Sequence, residues 1–335
     1  MSWMSCYQPP DASLWQGRVD SPPRACFFQV IQLIDLQTQQ IEFFPEPCFG
    51  FIGFCCDEGI RRNGGRLGAV QGPNAIRTVL SKLALHRHCF LIDVGDIHCR
   101  NTHLESAQAA LGEVVSYLLK HKVTPIVLGG GHELAWGHYQ GIEKIYPRET
   151  LGIVNFDAHF DMRPLLQNNQ GSSGTPFLQI AEAHQQKKRQ FHYHCIGIQP
   201  ASNTKLLFEI AKKYGVKTIL ADECARGDVQ KCKNLIHHVI EQNQILYVSL
   251  CLDAFSAAYA PGVSAPQALG LIPSDIIPLL HALSTSGKVV SYDIAELSPK
   301  YDIDNRTAKL AAHFIYEIMH YHIPIGISHE SNTAT

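Results

Sequence analysis

The chain has 335 residues, a length that allows two domains of ordinary size or one large α/β unit. Its 28 Lys and Arg residues and 30 Asp and Glu residues give a formal charge of -2, so no global positive field attracts nucleic acid or an anionic membrane surface. Charged residues make up 17% of the chain and hydrophobic residues 45%, a balance that excludes an intrinsically disordered protein.

The sequence contains no stretch that predicts a membrane span or an export signal. The longest purely apolar stretch, residues 48–56, is far shorter than the roughly 20 residues that a membrane helix needs. The first residues have neither a basic start nor an apolar segment before a cleavage site. The 11 cysteines are scattered, and several lie in apolar runs, which is typical of reduced thiols. We therefore expect a cytoplasmic protein that binds neither membrane nor nucleic acid.

Residues 1–47 are rich in Pro and aromatic residues and contain one predicted strand, residues 27–36. We expect them to form an N-terminal extension packed on the main domain. From residue 48 onward, short apolar runs alternate with longer amphipathic stretches, as in βα units that build a parallel sheet. The eight predicted strands span residues 48–54, 89–97, 124–129, 151–157, 192–198, 217–221, 245–252 and 288–294. The predicted helices include residues 73–85, 104–120, 202–214, 228–242 and 305–320.

This alternation predicts one α/β domain over residues 48–322, with a mostly parallel sheet of eight strands. No connection between consecutive predicted strands has the form of a hairpin. Residues 323–335 are predicted to be a frayed C-terminal tail.

Polar side chains follow three of the predicted strands, at the edge where an open parallel sheet binds its ligands. The candidates in chain order are His132 after Gly129, Gly130 and Gly131; Asp157, His159 and Asp161; and Cys251 and Asp253. Asp157, His159 and Asp161 alternate, so in an extended strand they would share one face. Buried together without Lys or Arg, the carboxylates would repel one another, and a cation would remove that cost. The alternative is a strand end that caps the next helix, for which one Asp is enough.

The other two segments allow ordinary interpretations. The glycines could form a phosphate-binding turn, although the G-x-G-x-x-G and G-K-[ST] patterns are absent. Cys251 could be a small core residue, but it is two residues from Asp253, so in a strand both side chains would lie on the same face. Six ligands suit two ions that share bridging groups better than one ion. Carboxylates and imidazoles with a single thiol favour an ion such as Mn²⁺ over a structural zinc site, and hydrolysis is the expected chemistry.

The same segments resemble motifs of the ureohydrolases, the arginase and agmatinase superfamily. Four occur in the family order: GGGHE at 129–133, DAHFD at 157–161, SLCLD at 249–253 and DIAEL at 293–297. Within the superfamily, CDEGIRRNGGRLGAVQGPNAIR (56–77), SSGTPF (172–177) and DIAELSPKYDIDNRTAKLAA (293–312) are most similar to the formimidoylglutamases of histidine degradation. The resemblance covers residues 48–320.

The resemblance implies a three-layer α/β/α arginase-like fold and two Mn²⁺ ions per chain. One ion would be bound by His132 and Asp161 and the other by His159 and Asp253, with Asp157 and Cys251 between them. The implied reaction is hydrolysis of N-formimidoyl-L-glutamate to L-glutamate and formamide, by a hydroxide that bridges the two ions. Self-association into a homo-oligomer is also expected from the family.

Four further residues are expected to act on this small-molecule substrate. Glu296 would hold the amidinium nitrogens, and Arg163 would receive a substrate carboxylate. Ser172 and Ser173 would line the same pocket. Each charged residue has an ordinary alternative, since Glu296 could cap a helix and Arg163 could form a surface ion pair.

Cys251 departs from the family pattern, which has Asp at this position. A thiolate is soft and prefers zinc-like ions to Mn²⁺, so one ion is expected to be held weakly. Two alternatives remain open. The chain could be an agmatinase or arginase that acts on a guanidino substrate, or a metal-poor, non-catalytic relative in which Cys251 has disabled the bridge.

Overall fold

The computed structural model describes residues 2–44, 47–225 and 229–325. The strands in these ranges are β1 Tyr7–Gln8, β2 Gln32–Leu33, β3 Cys48–Cys55, β4 Phe90–His98, β5 Thr124–Gly129, β6 Leu151–Phe156, β7 His192–Ile198, β8 Lys217–Leu220, β9 Ile245–Cys251 and β10 Val289–Ala295. The α-helices are α1 Phe27–Val30, α2 Glu58–Arg62, α3 Gly72–Leu80, α4 Leu104–Lys120, α5 Leu134–Ile145, α6 Pro176–Gln186, α7 Lys205–Lys213, α8 Ala221–Ala225, α9 Val229–Gln242, α10 Pro273–Ser284 and α11 Arg306–Tyr321. The predicted helix start at residue 228 and most of the predicted tail lie outside the described residues.

The eight predicted strands are confirmed as the parallel part of one sheet, in the order β4-β3-β5-β10-β9-β6-β7-β8. Two short strands from the first 47 residues extend it at the outer edge of β4, where β1 pairs antiparallel and β2 parallel. Among the described helices, none has the length and apolar character that crossing a membrane requires.

Helices cover both faces of the sheet, which confirms the predicted three layers. Side chains alternate across β5, so that Ile126 and Leu128 pack in one core with α3, α9, α10 and α11. Val127 points to the other face and packs with α4, α5, α6 and α7. Burial on both faces explains why these strands read as continuous apolar runs in the sequence.

The predicted strand over residues 27–36 is wrong. Its first residues form α1, because the side-chain oxygen of Gln29 accepts the backbone N–H groups of Ala25 and Cys26 and closes a helical turn. The backbone becomes extended at Ile31, and only Gln32–Leu33 pair with β4. An apolar run of this length fits either structure, and the local side-chain cap decides between them.

The centre of the sheet determines where polar groups meet. Strands β5, β10, β9 and β6 are consecutive neighbours and run in the same direction. Their carboxyl ends therefore lie side by side, and the loops that follow them form one edge of the molecule, where parallel sheets bind their ligands.

Candidate active site

The six predicted metal ligands lie together at this edge. They fall into two groups that share one carboxylate: His132, Asp157 and Cys251 in the first, and Asp157, His159 and Asp253 in the second. Within each group, one donor atom per residue lies within 4.8 Å of the others. Asp161 joins the first group, since its Oδ2 atom lies 3.0 Å from Nδ1 of His132. The arrangement offers two neighbouring groups of residues, each of which could hold a cation, with the Asp157 carboxylate in common.

The ligands after β6 converge through a turn and not through an extended strand. The strand ends at Phe156, so the predicted alternation through Asp161 is wrong. Asp161 has a left-handed backbone, with φ of 46°. The Oδ1 atom of Asp157 accepts the N–H of His159 at 2.8 Å, and the Asn203 side chain hydrogen-bonds with backbone groups of the same turn. These bonds curl the chain around the site.

The glycine run after β5 allows a close approach to the end of β3. The N–H groups of Gly130 and Gly131 donate to the carbonyl oxygens of Phe54 and Cys56, both at 3.0 Å. They are therefore not directed at a phosphate. A Cβ atom on Gly130 would lie 2.3 Å from the Cys56 oxygen, so a larger residue would displace the backbone that carries His132.

The protonation of His132 follows from its hydrogen bonds. Its Nε2 atom lies 2.8 Å from Oγ of Ser249, and that hydroxyl donates its single proton to Oδ1 of Asp293 at 2.7 Å. The hydroxyl must therefore accept from Nε2–H, which leaves the Nδ1 lone pair facing Asp157 and Asp161. Nδ1 is buried, lies 3.0 Å from Oδ2 of each carboxylate and has no hydrogen-bond partner.

Electron-rich atoms that face one another in a buried site require a positive charge between them. Burial lowers the pKa of His132, but the adjacent carboxylates of Asp157 and Asp161, which would accept from Nδ1 once it is protonated, outweigh burial and raise that pKa well above its usual range. Burial and the Asp157 carboxylate raise the pKa of Asp161 to about 6. Both shifts draw a proton to the point where these side chains meet. A divalent cation would take the place of that proton, so the residues fit a metal ion.

Cys251 adjoins the second group. Its thiol donates to Oδ1 of Asp253 at 2.9 Å, while Oδ2 of Asp253 lies 3.2 Å from Nδ1 of His159. Burial and the nearby Asp157 carboxylate raise the pKa of the Cys251 thiol well above its usual range. Cys251 would thus become a metal ligand only where an ion displaces its proton.

Glu296 follows β10 in a left-handed conformation with φ of 71°. Its Oε1 atom accepts the backbone N–H of His132 at 2.9 Å, and its own N–H donates to the Gly130 oxygen at 2.8 Å. Burial and the carboxylate of Asp253 raise the pKa of Glu296 well above its usual range. The carboxylate is therefore fixed beside the first ion position, in a place where a cationic ligand would stabilise its charged form.

A cavity of about 340 Å³ opens onto these groups. The predicted residues Arg163 and Ser173 line it, together with Glu296. Ser172 is not among the lining residues. Its Oγ atom accepts the N–H of Gly174 at 3.3 Å and so shapes the loop beside the cavity. The roles of these residues in substrate binding remain predictions.

Five other polar residues that sequence reasoning did not select line the cavity: Asn63, Arg66, Ser202, Asn203 and Ser264. Arg66 lies eleven positions beyond the end of β3 at Cys55, separated from it by α2 and a Gly-Gly pair. A search for polar residues directly after predicted strands therefore does not find Arg66. The available signal was its place within the segment 56–77 that carries the family resemblance.

A third group of ligand-type residues, Cys55, Asp96 and His98, lies at the ends of β3 and β4. Its carboxylate already has a cation, because Oδ1 of Asp96 lies 2.7 Å from Nη1 of Arg77. This internal ion pair distinguishes it from the two groups that share Asp157.

Comparison with known proteins agrees with this geometry. A model of the arginase family matches residues 48–321. A formimidoylglutamase from Legionella pneumophila (strain Lens) is 45% identical over 316 residues, which cover 94% of this chain and 98% of the relative. A formimidoylglutamase from Geobacillus sp. (strain WCH70) is 42% identical over 321 residues, with coverage of 94% and 97%. The crystal structure of Trypanosoma cruzi formiminoglutamase with Mn²⁺ has a TM-score of 0.74 and 26% identity, and the match covers 81% of this chain and 92% of that one. The chain therefore belongs to the arginase family.

Proposed function

We propose that this chain hydrolyses N-formimidoyl-L-glutamate to L-glutamate and formamide. The observation that carries the proposal is the distribution of charge around the cavity. Its lining carboxylates, Asp161, Asp253 and Glu296, belong to the ligand cluster or adjoin it. The other charged side chains that line it, apart from His159, are Arg66 and Arg163. A substrate with an amidine at one end and carboxylates at the other matches this polarity.

The same proposal includes two Mn²⁺ ions in the two groups of ligands. They would be held by His132, Asp157, Asp161 and Cys251 and by Asp157, His159 and Asp253. Bound there, the ions would supply Lewis acidity and activate water. The unpaired Nδ1 atom of His132 supports this assignment, as does the Mn²⁺ in the T. cruzi relative.

Side chains of the protein would bind the two ends of the substrate and so orient the amidine for hydrolysis. Glu296 would accept hydrogen bonds from the amidinium nitrogens, which would also stabilise its carboxylate in a buried place. The oxygen of water adds to the formimidoyl carbon, the bond from that carbon to the glutamate nitrogen breaks, and this nitrogen gains a proton. Formamide keeps the other nitrogen. Arg163 would hold a substrate carboxylate and so fix the angle at which the amidine enters.

The guanidino alternative fits the cavity less well. Agmatine would bring its free amine toward Arg66 and Arg163, where like charges repel. The metal-poor alternative also lacks support from the geometry, because the donor atoms remain grouped even with Cys251 in place of the expected Asp.

The direct test incubates the purified, Mn²⁺-loaded chain with formimidoylglutamate, agmatine and arginine in parallel. We expect formamide from formimidoylglutamate, little urea from the other two, and about two bound ions per chain. Urea as the main product would support a guanidino hydrolase. One ion or none, with no turnover on any substrate, would support the non-catalytic relative.

A further inference from the structure

We propose that Arg66 binds the side-chain carboxylate of the substrate, while Arg163 binds the α-carboxylate. This inference rests on the proposed function and names the residue that would select a dicarboxylate. It starts from a cavity with two arginines among its lining residues, of which only Arg163 was expected from the sequence to bind substrate.

The guanidinium of Arg66 is held in place before any ligand arrives. Its Nε atom donates to the Ser264 oxygen at 2.8 Å, and Nη2 donates to the Val263 oxygen at 2.6 Å. Its backbone N–H donates to Oγ of Ser264 at 2.9 Å. The guanidinium carbon also lies 4.1 Å from the ring centroid of Tyr301. An arginine that is already ordered loses little side-chain entropy when it binds an anion.

The charge of Arg66 is not neutralised by the protein. Within residues 2–44, 47–225 and 229–325, no carboxylate pairs with it, and its Nη1 atom makes no hydrogen bond. Its two side-chain hydrogen bonds go to neutral carbonyl oxygens. The lining carboxylates have partners of their own, since Asp161 faces His132, and Asp253 faces His159 and Cys251. A carboxylate from the substrate is therefore the anion that Arg66 lacks.

The position of each arginine in the chain assigns the two carboxylates. Arg163 follows the ligand candidate Asp161 by two residues, and its N–H donates to the Gly174 oxygen at 2.8 Å. It belongs to the turn that carries ion ligands, which suits the α-carboxylate, because only a nitrogen and Cα separate that group from the reacting carbon. Arg66 lies on a segment that supplies no ligand candidate, which suits the more distant carboxylate.

Steady-state kinetics with two substrates test this assignment. N-formimidoylglycine keeps the α-carboxylate of formimidoylglutamate but lacks the side-chain carboxylate. For Arg66→Met we expect KM for formimidoylglutamate to rise at least tenfold, with kcat within about threefold of the unmodified chain. On N-formimidoylglycine the variant and the unmodified chain should have the same KM. Arg66→Lys should recover only part of the loss, because an ammonium cannot bind a carboxylate through two parallel bonds.

Three results would overturn the assignment. An unchanged KM for formimidoylglutamate would show that Arg66 does not bind substrate. Equal increases of KM for both substrates would mean that Arg66 only positions the loop at residues 263–264. Loss of activity on N-formimidoylglycine in Arg66→Met, with Arg163→Met unaffected on that substrate, would reverse the two roles. If the unmodified chain releases no formamide from formimidoylglutamate, the proposed function itself fails. Arg148→Met, at an exposed position before β6, is the matched control and should behave as the unmodified chain.

Discussion

Two buried clusters of carboxylates lie on the same sheet, and they differ in whether the chain supplies a cation to them. In the cluster within β4, the Arg77 side chain is 1% exposed, with Nη1 2.7 Å from Asp96 and Nη2 donating to Asp93 at 2.9 Å. Around Asp157, no Lys or Arg of the described chain lies within ion-pair distance, and the side chains there that could carry a positive charge are the imidazoles of His132 and His159.

The difference separates a structural ion cluster from a binding site. Burial disfavours the charge of Arg77, but Asp93 and Asp96 outweigh burial and raise its pKa, so this cluster holds a cation that belongs to the chain itself. Around Asp157, the raised pKa of His132 and the raised pKa of Asp161 show that the site attracts a further positive charge. Where the chain does not provide the cation itself, an ion from solution is the remaining source.

The largest expected effect comes from the carboxylate that both ion positions share. Asp157→Ala should lower kcat by at least about a thousandfold and reduce the bound Mn²⁺ per chain, because both groups lose a ligand. Formamide release and metal analysis measure the two effects, and the melting temperature of the apo form controls for folding. Near-normal activity in this variant would exclude a dinuclear site.

The cluster of Asp93 and Asp96 is tested by removing its cation, Arg77. Arg77→Met leaves Asp93 and Asp96 buried without their cation and should lower the free energy of unfolding by about 3–5 kcal/mol. Urea titration monitors this loss, and the exposed Arg148→Met variant should stay within about 0.5 kcal/mol of the unmodified chain. Stability close to that of the unmodified chain would mean that the ion cluster is not what holds β3 and β4 to α3.

Buried ionisable groups need not carry charge, and His322 provides a third case. The Tyr292 hydroxyl donates its proton to Oγ of Ser284 at 3.2 Å and so accepts from Nδ1 of His322 at 3.0 Å. Burial lowers the pKa of His322 to about 3. Between pH 6.5 and 3 the unfolded chain binds a proton that the folded chain refuses. This histidine therefore reduces stability as the pH falls, by roughly 1.4 kcal/mol per unit.

Unfolding free energies at pH 6.5, 5.5 and 4.5 test this contribution. His322→Asn should lower stability at neutral pH but make the dependence on pH shallower than in the unmodified chain. The exposed His86→Asn variant should leave the slope unchanged. Parallel slopes for His322→Asn and the unmodified chain would contradict the buried, uncharged state.

The smallest expected effect concerns the thiol. Cys251→Asp should raise the affinity for Mn²⁺ by about tenfold, because a hard carboxylate replaces a soft thiolate that must first lose its proton. Isothermal titration of the metal-free chain measures this change, and Cys251→Ser serves as the control of similar size. Equal affinity in the Cys251→Asp variant and the unmodified chain would show that the thiol does not weaken the binding of Mn²⁺.

The parallel sheet, the family and the ligand cluster could all be predicted from the sequence, because apolar runs and the polar residues after them are local signals. The prediction that Asp157, His159 and Asp161 share one face of an extended strand is wrong, since a turn brings them together. That turn depends on Asn203, more than 40 residues later, and no local pattern reveals it. Arg66 lies in the segment 56–77 that carries the family resemblance, but its place in the cavity depends on contacts with residues 263–264, so the sequence did not indicate its role.

The first 47 residues matter for anyone who intends to shorten the chain. Strands β1 and β2 lie along the outer edge of β4, and the indole N–H of Trp15 donates to Oδ2 of Asp93 at 2.7 Å. A version trimmed to start at residue 48 would keep every proposed catalytic group, yet it would have a bare β4 edge, and the buried Asp93 would lose one of its hydrogen bonds. Bare edges pair with other chains, so such a version would aggregate before its activity could be measured.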